Sequence, residues 1–142
     1  MIQLSLDAAR TIVAGALAHA GSAGLKPLAV LVLDAGGHPV AFERQDGASL
    51  YRFDIARAKA MGALGMGMDS RAITSAAAER PGFFQGVAAT VGGGIAFSPG
   101  GVLVRDAGGD VIGAVGISGD TGDNDEAAVF AGLRAAGLGD DA

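Results

Sequence analysis

Apolar residues recur at spacings of three and four near the start of the chain: Leu6, Ala9, Ile12, Val13, Ala16, Leu17 and Ala20. That stripe predicts an amphipathic helix over residues 5–20, with Ser5 as N-cap, Asp7 in the first turn, and Gly21 and Gly24 closing it. The pattern changes at Leu28. Residues 28–33 form a continuous apolar run between Pro27 and Asp34, as expected of a strand buried on both faces. Asp34-Ala35-Gly36-Gly37 is turn chemistry, and residues 40–44 resume an extended pattern, which predicts a hairpin. The same signature returns at residues 102–109 (VLVRDAGG), with residues 111–118 as the return strand. Turn physics is enough to produce both hairpins; a duplication is the alternative.

Between the hairpins the period is helical. Residues 50–68 predict one helix, weakened late by glycines at 62, 65 and 67. Residues 71–79 predict a second, capped by Ser70 and stopped by Pro81, and residues 83–91 a third, broken by Gly92-Gly93-Gly94. Residues 95–97 predict a short strand before the turn at 98–101. Residues 125–136 predict a final helix, capped by Asn124 or Asp123 and followed by Gly137; residues 140–142 read as a frayed tail. Hairpins outnumber βαβ units, so the expectation is an α/β fold of the α+β kind in one domain over residues 1–142, an antiparallel sheet with helices packed on it.

Composition sharpens this picture. The 142 residues include 25 Gly, 30 Ala, one Tyr and no Trp, so the core must rely on small side chains and close backbone approach. Such a core buries little area per residue, which favours subunit association as a further source of stability. A net charge of −5 with scattered Arg and Lys excludes a broad nucleic-acid footprint. No apolar run is long enough to span a membrane, and the start of the chain lacks a signal-peptide pattern. Zero Cys excludes disulfides, thiolate metal sites and a Cys nucleophile; together these features give a cytoplasmic expectation.

The candidate chemistry is sparse. Gly113, Gly116 and Gly119 lack the first G-x-G pair of a dinucleotide loop and are better read as sites of close backbone approach. Ser118 does not sit in G-x-S-x-G, and only His19 and His38 supply imidazoles. Residues 120–126 hold four carboxylates, which suit either a hard cation or a helix N-terminus. A third reading turns Asp125 or Glu126 into an acid or base facing a pocket. Arg44, Arg57 and Lys59 are either solvated cations or the makings of an anion pocket.

Several segments, in order, resemble the GlcG/HbpS family, which includes the C-terminal domain of PduO-type proteins. They are residues 32–48 (VLDAGGHPVAFERQDGA), 55–60 (IARAKA), 99–102 (PGGV), 111–119 (VIGAVGISG) and Asp125-Glu126. The resemblance spans residues 5–137. It implies a profilin-like domain with an antiparallel sheet of about five strands flanked by helices. It also implies a homo-oligomer, from dimers up to octamers. Relatives bind haem or are linked to corrinoid metabolism, and others accompany genes for small-acid catabolism. By position, the family pattern falls on Asp34, Gly36, Gly37, His38, Arg44, Asp46, Gly47, Lys59, Gly113, Gly116, Ser118, Gly119, Asp125 and Glu126. The chain departs from the pattern after Ala60, where residues 61–70 are rich in Gly and Met, and at Asp120, where the family usually has a second Gly.

The resulting expectation is a small-ligand-binding protein whose ligand is haem or another tetrapyrrole. In it His38 ligates the iron, Arg44 and Lys59 pair the propionates, and Ser118 lines the site. The alternative is a cofactor-independent enzyme on a small carboxylate. There Arg44 and Lys59 hold the substrate, and Lys59, Asp125 and Glu126 carry the catalysis. A pure interaction module, with neither ligand nor turnover, is the third possibility.

Overall fold

A computed structural model describes residues 3–139. Nine elements follow one another along them: α1 (Leu6–Ala23), β1 (Ala29–Asp34), β2 (Pro39–Arg44), α2 (Arg52–Met66), α3 (Ser70–Glu79), α4 (Pro81–Thr90), β3 (Gly101–Arg105), β4 (Val111–Ser118) and α5 (Gly122–Ala135). The strands form one antiparallel sheet in the order β2-β1-β4-β3. Both predicted hairpins are present, and the pairing of β1 with β4 joins them at the centre of the sheet.

The two faces of the sheet carry different layers. Val30, Val32, Val104, Val115 and Ile117 pack against α1 and α5 through Ile12, Val13, Val129 and Leu133. Leu31, Leu33, Leu103 and Ala114 pack against α2 through Ala56, Ala60 and Ala63. β1 is thus covered on both sides, which is why residues 28–33 read as one unbroken apolar run. The helices can approach because their contacts are bare backbone. A Cβ built on Gly132 would overlap the Ile12 carbonyl of α1, and one on Gly15 would lie 2.7 Å from Ala135 Cβ.

Three expectations about helix ends need correction. α1 continues through Gly21 and closes at Gly24, whose φ of 66° is the left-handed conformation that suits glycine. The N-cap of α5 is Thr121, whose hydroxyl accepts the Asn124 N–H, so neither Asn124 nor Asp123 caps it. Ser70 is the first residue of α3 rather than its cap.

Residues 95–97 form no strand, and the sheet described here has four strands, not about five. The reason is that the outer edge of β3 is already occupied. Gly101 N–H donates to Ser70 Oγ and Leu103 N–H to Asp69 Oδ1, at 2.8 and 2.9 Å. Side chains at the start of α3 therefore satisfy the edge that another strand would need. Ile95 turns instead into a satellite cluster with Ile73 and Phe84. The predicted tail at residues 140–142 lies outside the described residues.

Candidate functional site

α2 lies flush on the sheet because Gly101 and Gly116 face each other beneath it. A Cβ on Gly116 would overlap the Ala56 carbonyl, and one on Gly101 the Lys59 carbonyl. This close contact sinks Lys59, which is only 2% exposed. Its ammonium donates to the Ile117 carbonyl at 2.9 Å and to Asp125 Oδ2 at 3.0 Å. Asp125, 1% exposed, accepts the Asp120 N–H on its other oxygen at 2.9 Å. Gly100, with φ 123°, passes so close that a Cβ there would sit 2.9 Å from Lys59 Nζ. Burial pushes the Lys59 pKa down, Asp125 pulls it back up, and the nearby Arg52 guanidinium lowers it again.

The Lys59–Asp125 pair therefore clamps α2, the end of β4 and the start of α5 together. The enzyme alternative asked these two residues to grip a substrate and move protons. In the structure both are buried and engaged with each other.

Arg52 is the residue that sequence reasoning missed. Its Nη1 donates to the buried Ser118 Oγ at 3.1 Å and its Nε to Ser49 Oγ at 3.2 Å. It stands two helical turns before Lys59 on α2, and that i, i+7 spacing was a legible signal. Ser118 is held by protein groups rather than lining an open hollow. Arg44 belongs to the same end of the sheet: it pairs with Ala29, which pairs in turn with Ser118. Two strand spacings, about 10 Å, separate the Arg44 and Ser118 backbones. Arg44 is exposed and lines a shallow hollow with Pro27, Gln45 and Asp46, away from the buried pair.

His38 lies in the turn at the opposite end of β2 from Arg44, roughly 20 Å along the strand. Its side chain is 79% exposed, and its Nδ1 is 3.2 Å from Asp34 Oδ1. A carboxylate can only accept, so Nδ1 carries the proton in this contact and Nε2 is left open. The His38 backbone N–H, followed by its ring, holds the Asp34 carboxyl below its usual range. Gln3, Leu4, Val40 and Ile112 border a hollow of about 300 Å³ beside this turn. Within a single chain His38 stands at the opposite end of β2 from Arg44, and Lys59 is buried against Asp125.

The acidic run is divided among separate partners. Asp125 holds Lys59, while Asp123 and Glu126 both pair with Arg71 of α3. Asp120 accepts from the Lys26 and Thr121 backbones and from Asn124 Nδ2. Among the described residues no three His, Asp or Glu side chains gather to hold a metal ion. Glu126, with 12% of its side chain exposed, is tied to Arg71 of α3.

These hydrogen bonds, led by the one from Lys26, lower the Asp120 pKa from 3.8 to about 2. A carboxylate depressed in the folded state stabilises the fold fully above its unfolded value and loses that contribution as pH falls through the folded one. Stability should therefore decline between pH 3.8 and about 2. Urea unfolding across that window should show a shallower decline for Asp120→Asn than for the parent; equal slopes would contradict the assignment.

The elements and their contacts define a small α/β domain with two hollows beside its sheet and a cross-braced polar centre. The chain belongs to the HbpS-like family, whose model, described as haem degrading protein HbpS-like, matches residues 4–134. Among solved structures, the ORFY protein of Klebsiella pneumoniae is 29% identical, with a TM-score of 0.87 over 96% of this chain and 93% of that one. A double mutant of HbpS from Streptomyces reticuli is 28% identical, with a TM-score of 0.80 over 98% and 89%. A PduOC–haem complex shares the fold at 23% identity, with a TM-score of 0.84 over 94% and 95%. No curated protein matches the chain. Among the described residues no helix is long and apolar enough to cross a membrane.

Proposed function

We propose that this chain is a cytoplasmic ligand-binding protein that takes haem or a related tetrapyrrole at the β1–β2 turn, with His38 Nε2 on the iron. The observation that carries the reading is the Asp34–His38 pair. A carboxylate on the far ring nitrogen fixes the tautomer, orients the ring and raises the basicity of the free nitrogen, as metal-ligating histidines require. Leu4, Val40 and Ile112 supply apolar walls beside it. The family description and the haem complex of PduOC support the ligand class.

The donor set fits the iron and not the propionates. Lys59 is engaged with Asp125, and Arg44 lies at the far end of β2. A hollow of about 300 Å³ is smaller than a tetrapyrrole. In this reading a second copy, within a homo-oligomer between dimer and octamer, covers the remaining face. Bound haem would supply a metal centre; His38 holds it and Asp34 positions His38.

Haemin titrated into the purified protein should give a sharp, saturable Soret band. His38→Ala should lose it, and Asp34→Asn should weaken affinity by about tenfold or more. An unsaturable, unshifted spectrum, or a band indifferent to His38→Ala, would overturn the reading.

A further inference from the structure

α4 reaches the rest of the fold through the cluster of Ile73, Phe84 and Ile95. It stands off from α2 and leaves a cleft of about 320 Å³ between them. Met61, Met66, Val87 and Ile95 line the cleft, and Gly65 presents bare backbone to it. Arg57 is the one charged residue on its wall. Among the described residues Arg57 has no salt-bridge partner and no side-chain hydrogen bond, unlike Arg71 and Arg52, which are both engaged. Neither His38, Lys59 nor Asp125 lines this space.

The chemistry of the walls selects the occupant. An apolar hollow of this size falls at the lower end of small-molecule sites, and its few polar groups set orientation. Here the polar group is a guanidinium with its donors free, and a planar fork of N–H groups matches a carboxylate. The protein carries a net charge of −5, so an anion is drawn here by Arg57 rather than by the overall field. We propose that the α2–α4 cleft binds a small carboxylic acid with an apolar body, its carboxylate on Arg57 and its hydrocarbon part between the methionines and Val87. This site is separate from the one beside His38 and stands or falls without it.

Octanoate and octan-1-ol titrated calorimetrically into the full chain, without haemin, test the assignment. Octanoate should bind saturably and at least about tenfold tighter than the alcohol, because only the acid makes the charge-assisted pair. Arg57→Gln should weaken octanoate by about 10- to 100-fold and leave the alcohol unchanged. Gly65→Leu should fill the cleft and remove binding of both. A Cβ at Gly65 meets nothing within 4 Å, so that variant should keep the parent's helix content and an unfolding midpoint no lower than the parent's. Octanoate heats that do not saturate, or unchanged octanoate affinity in Arg57→Gln, would overturn the proposal.

Discussion

Lys59→Met should lower the unfolding free energy by about 3–5 kcal/mol, the cost of stranding one member of a buried ion pair. Asp125 would be left without its partner in a site with 1% exposure, with the Asp120 N–H as its remaining hydrogen-bond donor. The double variant Lys59→Met with Asp125→Leu should recover much of that loss, since it removes both charges and their desolvation together. Urea unfolding of the three proteins measures both effects. A single-variant loss below about 1 kcal/mol would mean that the pair behaves like a surface salt bridge and does not brace the fold. The experiment also separates architecture from ligand chemistry. A ligand-gripping lysine would show lost affinity at unchanged stability, whereas a brace shows the reverse.

Gly116→Val is the second large effect. Its Cβ would enter the space of the Ala56 carbonyl, with Ala60 Cβ also only 3.0 Å away. The obstacle is backbone, so no rotamer change relieves it. α2 must lift from the sheet, and Lys59 must lift with it. The expected cost is about 3 kcal/mol, the upper end for overpacking, read as a lower midpoint in thermal or urea unfolding. Gly65→Ala is the control on the same helix. Its Cβ meets open space, so the substitution should stabilise by about 0.5–1 kcal/mol by removing glycine's backbone entropy cost. If both substitutions proved neutral, the close seating of α2 would not be what holds this layer.

Much of the architecture was legible because each element carries its own local signal. The alternation of apolar runs with Asp-Ala-Gly-Gly turns marked both hairpins, and the three-and-four spacing of Ile12, Val13 and Ala16 marked α1. The strand expected at residues 95–97 was not there because Ser70 and Asp69, distant in sequence, already satisfy the β3 edge. The site was legible only in part. Lys59, Asp125, Ser118 and Arg44 do gather at one end of the sheet. What a sequence position does not disclose is that Lys59 and Asp125 face each other in the interior, or that Ser118 is engaged by Arg52. Arg52 escaped notice because a lone arginine at a helix start has a solvated face as its ordinary role.

By itself the chain's pattern determined most of the elements, the antiparallel pairing within each hairpin and a core of small side chains, since periodicity, turn chemistry and glycine content act over a few residues. The tertiary structure alone decided that Gly101 and Gly116 seat α2 on the sheet, and so which cations are sealed inside and which stay open. It also left Arg57 on a cleft. Those outcomes depend on which backbones far apart in sequence approach one another; the spacing marked Gly116 as a site of close approach but not the helix that it meets.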